Sequence, residues 1–257
     1  MAATLCALYR YPIKGFTGET LETVSIEPGA GLPGDRKIAV TTGAQPFDPA
    51  TPEPWPKAGF LTVMRYPALV RVRARYDGAG DRLSAALPGE APRLYDFAEG
   101  NERQRFGQDI KAYLGLPDAW RPEVVAGDER RFTDAAVEGP RLMESLSLIN
   151  LATLAELARH AARAVDHRRF RANLYIDGLA PWAEFDWVDR EFRIGGIAFR
   201  GLLKTPRCAA IEADPDSGET GAGLIKLLQA TWGHHHCGIQ VEATAPGVLA
   251  IGAPVEG

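Results

Sequence analysis

Cysteine is scarce in this chain of 257 residues, with three in all, at positions 6, 208 and 237. So small and odd a set supports no disulfide framework and contains no CxxC pair. It also falls short of the four thiolates that an iron–sulfur cluster would need from one chain. Long apolar runs are missing too. No stretch approaches the roughly 18 residues of a membrane helix, and Met1–Arg10 is too short and mixed for a secretory apolar segment. The expected setting is cytoplasmic, with no membrane as partner. Nor is there a surplus of positive charge. Lys and Arg number 29 against 33 Asp and Glu, a formal net charge of −4, which argues against nucleic acid as the main partner. Internal repeats and low-complexity segments are absent.

Glycine (27) and proline (19) are plentiful and scattered, as suits many short strands joined by tight turns. Ala3–Tyr9, Glu22–Glu27 and Lys37–Thr41 read as strands, separated by turn chemistry at Lys14–Gly18 and Pro28–Gly34. Ala44–Gly59 holds five prolines and reads as a loop. Leu69–Tyr76 alternates apolar residues with arginine, the mark of a half-exposed strand, and Asp81–Ala86 returns beside it. Asn101–Leu114 reads as a helix closed by Gly115. The polar stretch Gly127–Pro140 reads as a linker. The boundary is placed near residues 118–128, dividing residues 1–120 from 121–257. A second helix starts at Asn150, a good N-cap, with Leu151, Leu154, Ala155, Ala158, Ala162 and Val165 as an apolar stripe suited to core packing. Strands follow at Asn173–Ile176, Cys208–Glu212, Gly238–Ala243 and Gly247–Ile251. Glu191–Ile194 and Ile197–Leu203 flank Gly195–Gly196 as a hairpin. The pattern predicts a predominantly β, α+β architecture that is barrel-like, since long open edges must be avoided.

Cys208 follows a predicted strand and a Thr205–Pro206 break, with Arg207 beside it to favour the thiolate, the form that binds soft metals. A single cysteine is more commonly a small buried hydrophobe. Lys14 and Arg36 stand at glycine-rich strand ends, and Arg168, Arg169 and Arg171 surround Phe170. Guanidinium forks match phosphate and carboxylate, although each alone would pass for a solvated charge. His234–His235–His236–Cys237 offers zinc-type ligands. Adjacent residues of a strand face opposite ways, however, and no second ligand pair stands at finger spacing, so no metal site is expected there. Asp214–Pro215–Asp216–Ser217–Gly218 is turn chemistry without the downstream pattern of a calcium loop.

Taken together, these segments form a familiar series. Leu8–Lys14 and then Gly34–Asp35–Arg36 resemble the N-terminal β-barrel module that precedes MOSC domains. Phe170–Gly178 resembles the family's F-R-P-N-hydrophobic segment. Pro181–Trp182–Ala183–Glu184, with Trp187 and Ile194–Gly195, resembles its aromatic-x-E-x-x-W…I-G stretch. Arg207–Cys208 followed by Asp214–Gly218 resembles R-C…D-P-x-T-G, and Pro246–Gly252 resembles the closing strand. In order and extent the chain is similar to the MOSC proteins, which include the C-terminal domain of molybdenum-cofactor sulfurases and the amidoxime-reducing components.

The resemblance implies an N-terminal β-barrel-like module packed on a MOSC β-barrel with flanking helices, and a molybdenum–molybdopterin cofactor between them. By motif position Cys208 is the metal ligand and the catalytic residue. Lys14, Arg36 and Arg171 hold phosphate and pterin, and Asn173, Thr205 and Arg207 are near contacts. The chain departs from the family pattern at Gly15, Ala172, Pro206 and Phe185, where relatives carry Ser, Pro, Ser and a second acid. The implied activity is reduction of an N-hydroxylated small molecule by oxygen-atom transfer, with electrons from a separate ferredoxin-, flavodoxin- or cytochrome b5-like protein. The alternatives are a carrier of cofactor or sulfur using Cys208 as a persulfide site, and a relative that has lost the cofactor.

Overall fold

The structure is a computed structural model describing residues 2–45, 57–77, 81–126, 131–134 and 139–257. The Pro-rich segment at 46–56 and most of the linker-like stretch at 127–138 lie outside the described residues. In chain order the strands are β1 (Thr4–Arg10), β2 (Glu19–Leu21), β3 (Thr23–Ile26), β4 (Ile38–Val40), β5 (Arg73–Asp77), β6 (Arg82–Ala86), β7 (Arg93–Asp96), β8 (Val124–Ala126), β9 (Leu146–Asn150), β10 (Leu174–Asp177), β11 (Glu191–Ile194), β12 (Ile197–Pro206), β13 (His236–Ala243), β14 (Gly247–Ala250) and β15 (Val255–Glu256). The helices are α1 (Gly100–Leu114), the single turn α2 (Pro140–Met143), α3 (Leu151–Ala161) and α4 (Leu224–Trp232).

Eight strands form one sheet in the order β15-β11-β12-β13-β9-β10-β1-β2, curled into a half-barrel. Strands from both sides of the expected boundary share it, because β1 pairs antiparallel with β10, and a separate two-stranded sheet joins β3 to β14 across the same boundary. These strands send Leu5, Leu8, Leu148, Leu174, Phe199, Ile239 and Val241 into one apolar core. A second core belongs to the N-terminal half, where α1 lays Phe106 and Ile110 against Leu83 and Tyr95 of the β5-β6-β7 sheet. The outer face of β5 carries Arg73 and Arg75, exposed as their alternation with buried Val72 and Ala74 predicts.

Asn150 caps α3 by accepting from the Ala152 N–H at 3.2 Å, and Gly115 closes α1 in the left-handed region. Gly195 and Gly196 both take positive φ, as a two-residue hairpin between β11 and β12 requires. Three expectations need correction. The strand read at Leu69–Tyr76 begins only at Arg73, because Pro67–Arg71 forms a 3-10 turn. Ala209–Glu212 is a 3-10 turn and not a strand, so Cys208 sits at its entrance. The buried face of α3 is Thr153, Leu154 and Leu157, while Ala155 is exposed. β9, α3 and β10 form a β-α-β crossover with β9 and β10 parallel. That crossover sets the turn at 167–171 beside β9.

Candidate functional site

A cavity of about 220 Å³ opens between the two halves of the chain. Its wall takes residues from distant segments, and all seven residues singled out in the sequence line it: Lys14, Arg36, Arg171, Asn173, Thr205, Arg207 and Cys208. The His234–Cys237 run does not line it.

The two arginines of the cationic wall are fixed by backbone as well as side chain. Arg36 and Arg171 both adopt left-handed backbone, with φ of 50° and 53°, a conformation that costs an L-residue about 1–2 kcal/mol. Such strain persists only where surroundings impose it. Arg36 donates its backbone N–H to the Tyr11 carbonyl at 2.7 Å and accepts from the Phe132 N–H at 2.8 Å. Its guanidinium reaches the Asp35 carboxylate and donates to the Arg171 carbonyl at 2.9 Å. Arg171 closes the 3-10 turn His167–Phe170 and donates to the Phe16 carbonyl at 2.6 Å. Both guanidinia lie over the Tyr11 ring, at 5.0 and 4.5 Å from its centre, so one aromatic ring supports two like charges. Burial pushes Arg171 down to about 10, with the neighbouring Arg36 acting the same way. Burial acts on Arg36 as well, but Asp35 more than offsets it and the net shift is upward. Lys14 donates to the Phe132 carbonyl at 2.9 Å and to Asp134 at 2.6 Å.

Asn173, only 1% exposed, is committed to the protein. Its amide nitrogen donates to the Tyr9 carbonyl at 3.2 Å and to Asp35 at 3.1 Å, and its oxygen accepts from the Ser147 N–H at 3.1 Å. Asp35 also accepts from the Tyr11 N–H at 2.7 Å. Asn173 and Asp35 therefore tie β1, β9 and the arginine-bearing turns together. Asp35 was visible in the sequence as the centre of Gly34–Asp35–Arg36, but nothing there marked it as the carboxylate of this knot.

Cys208 is half-exposed and stands on the exit from β12. The Arg207 guanidinium donates to the Cys237 carbonyl at 2.8 Å and the Phe170 carbonyl at 3.0 Å, while its Nη2 is buried without a partner. Burial lowers its pKa, against the opposing pull of Cys237, Tyr175 and Cys208. Thr62 Oγ1, Thr133 Oγ1 and Ser147 Oγ, on three further lining residues, are also buried and unpartnered. Unsatisfied polar atoms are rare in folded interiors, and here they cluster on one cavity. Thr62, Thr133, Ser147 and Gln240 escaped sequence reading because only the pairing of distant segments brings them to the wall.

In the histidine run, His234 and His236 are half-buried and His235 is exposed. His234 packs against Trp182 and Phe185 at 6.0 and 5.9 Å between centroids, and burial lowers the pKa of both His234 and His236. Cys237 is buried, and burial pushes its thiol up to about 12. Among the described residues no group of three His, Cys, Asp or Glu side chains is arranged to hold a metal ion. No helix among them is long and apolar enough to cross a membrane. The Asp214 carboxylate closes its own turn, accepting from the N–H groups of Asp216 and Ser217 at 3.0 Å each, and pairs with Arg169 at 2.6 Å.

Fold and cavity together define a two-module β protein whose modules enclose a thiol and a buried cationic wall. The chain belongs to the MOSC family. The family model described as MOSC domain matches residues 124–256, and that described as MOSC N-terminal beta barrel domain matches residues 2–115. Mitochondrial amidoxime reducing component 2 of Bos taurus is 31% identical over 71 residues, 28% of this chain and 20% of that protein. The Rattus norvegicus protein of the same name is 32% identical over 73 residues, 28% of this chain and 21% of that one. The chain thus matches about a fifth of the length of these curated relatives. Among solved structures, the YuaD protein of Bacillus subtilis aligns over 100% of this chain and 95% of its own, with 12% identity and a TM-score of 0.46. YiiM of Geobacillus stearothermophilus aligns over 43% of this chain and 52% of its own, with 16% identity and a TM-score of 0.34.

Proposed function

We propose that the chain binds a molybdenum–molybdopterin cofactor in this cavity and reduces N-hydroxylated small molecules. The observation that carries this reading is convergence. A half-exposed thiol, three cationic side chains and four unpartnered buried polar atoms, drawn from separate segments, line one cavity. That set suits a ligand with an anionic end, many hydrogen-bonding atoms and a soft metal.

The residues present fit the group. Arg36, Arg171 and Lys14 would hold its phosphate, with Thr62 and Thr133 as hydroxyl partners. Arg207 Nη2 would find its missing acceptor there, and Cys208 would supply the sulfur ligand. When bound, the cofactor supplies a metal centre able to accept an oxygen atom and to be re-reduced. The protein binds, orients and excludes water. Knotted through Asp35 and Asn173, the arginine-bearing turns are set before the ligand arrives, which limits the ordering cost of binding. Electrons would come from a separate ferredoxin-, flavodoxin- or cytochrome b5-like protein.

The test is metal analysis and turnover in protein made in a molybdopterin-producing cell. About one molybdenum per chain and reduction of benzamidoxime by chemically reduced protein are expected, and both should be lost or greatly diminished in Cys208→Ala. Full activity in that variant would refute the assignment of Cys208. Bound cofactor without turnover of any N-hydroxylated compound would favour a carrier.

A further inference from the structure

The N-terminal half carries a strip of positive charge that its own structure leaves unneutralised. Arg73 and Arg75 stand on the outer face of β5, and Arg65 and Arg71 are exposed in the turns that lead to it. Among the described residues none of these four makes an ion pair. Other arginines nearby in the chain are matched: Arg82 with Asp96 at 4.0 Å, Arg93 with Glu90 at 2.9 Å and Arg105 with Glu102 at 2.7 Å. Opposite Arg73 and Arg75 on β6 are the uncharged Ala86 and Ser84, and beyond Ser84 stands Leu94, 60% exposed. Four unmatched arginines on a chain of net charge −4 attract an acidic surface and repel a basic one. The strip also reaches the cavity. Met64, 46% exposed, and Val63 both line it, and Val63 packs with Val70 and Ala213. A Cβ on Gly218 would lie 3.2 Å from the Ala68 Cα. The 3-10 turn Pro67–Arg71 therefore rests on the segment that follows Cys208, and the strip begins on the thiol side of the cavity. Arginine and methionine are both enriched at protein interfaces.

We infer that Met64, Arg65, Arg71, Arg73 and Arg75 form the surface on which an acidic one-electron carrier protein docks to deliver electrons to the cavity. Each N–OH group reduced takes up two electrons and two protons and releases water, so two carrier molecules must dock and leave in every turnover. A small patch whose charges stay solvated suits such brief encounters, because it speeds association while holding the partner weakly. This inference rests on the reductase reading of the cavity.

The experiment has two arms. Each compares wild type, the double variant Arg73→Glu/Arg75→Glu and a control pair, Arg193→Glu/Arg200→Glu, which makes the same charge change at exposed positions of β11 and β12. In the first arm, binding of an oxidised ferredoxin, flavodoxin and cytochrome b5, all acidic, is measured by calorimetry at low salt and at about 0.15 M. In the second, the molybdenum-loaded protein reduces benzamidoxime with electrons from whichever carrier binds, or from methyl viologen radical, a small cation whose approach the charge reversal does not hinder. At least one carrier should bind wild type, and more weakly at the higher salt. The β5 variant should lose about tenfold or more in affinity and in carrier-supported kcat/KM per molybdenum, while its viologen-supported turnover and the control pair stay within about twofold of wild type. Binding of no carrier overturns the inference, as do a β5 variant that binds and accepts electrons like wild type and a control pair that loses as much. Tighter binding of a single-stranded oligonucleotide or of anionic vesicles than of any carrier would assign the strip to a different partner and also overturn it. If the loaded protein reduces nothing even with viologen, the reductase reading fails by itself. The surface then stands if a carrier binds wild type and the β5 variant alone abolishes that binding, and falls if it does not.

Discussion

Arg171 combines a charge that a ligand can use with a backbone angle that only glycine adopts freely, and the two can be separated. Arg171→Ala and Arg171→Gly should both lower molybdenum content, since losing one partner of a desolvated charged contact costs on the order of 2–5 kcal/mol. Glycine should nonetheless leave the fold about 1 kcal/mol more stable than alanine, because it accepts φ near 53° without the Cβ penalty. Equal urea midpoints for the two variants would contradict the strain. Glu184 is the other residue with a legible titration. It is fully buried against Thr153, whose hydroxyl lies 2.9 Å from both carboxyl oxygens, and burial raises its pKa to about 7. The folded state thus keeps a proton that the unfolded chain releases near its ordinary value. The associated stability is complete in acid, drains away as pH rises toward 7, and changes no further above it. Its size is on the order of 3 kcal/mol. Relative to Glu184→Gln, the wild type should therefore lose stability between about pH 5 and about pH 8, as denaturation at both values would reveal. A difference independent of pH would exclude a buried neutral carboxyl.

At the scale of elements, Gly238 shows how closely β13 lies on β9. Its φ is +73°, and a Cβ there would collide with the Leu148 carbonyl and the Ile149 side chain. Gly238→Ala should lower the unfolding midpoint by the equivalent of about 1–3 kcal/mol, while Gly100→Ala, with open space around it, should not. An unshifted midpoint for the first would contradict the close approach. Sequence patterning located most strands, the helix closed by Gly115 and the helix capped by Asn150, because each carries a periodic or capping signature. It passed over β9, whose five residues are all buried and so lack alternation. It also passed over α4, flanked by Gly223 and Gly233 with no side-chain cap at its start. The segment after Cys208 looked like a strand because its apolar residues are too few to distinguish a turn. The cationic residues and the cysteine were legible from motifs at strand ends. Gln240 and Ser147 were not, since their meaning lies in cross-strand register.

In the whole molecule, the family boundary and the physical one differ. β1 occupies an interior position of the large sheet, and β3 holds β14. The Arg131–Glu144 pair, 2.6 Å apart, with only the arginine buried, further ties the chain about 32–35 to the second half, with Arg131 also donating to the Leu32 and Asp35 carbonyls. A fragment of residues 121–257 would expose one flank of β10 and the apolar face of β14. It should show no cooperative thermal transition by itself and should regain one when mixed with residues 1–120. A sharp transition in the isolated fragment would show that the sheet does not depend on β1. The same pairing has a consequence for the order of events during synthesis. The small β5-β6-β7 sheet and α1 can assemble as soon as residue 115 has left the ribosome. β1 must wait until residues 174–177 exist before it pairs with β10, and β3 must wait for residues 247–250. Contacts so distant along the chain slow folding. The segment that carries Lys14 and Arg36 is thus made long before its partners, and the cavity is completed only once Gln240 has been made.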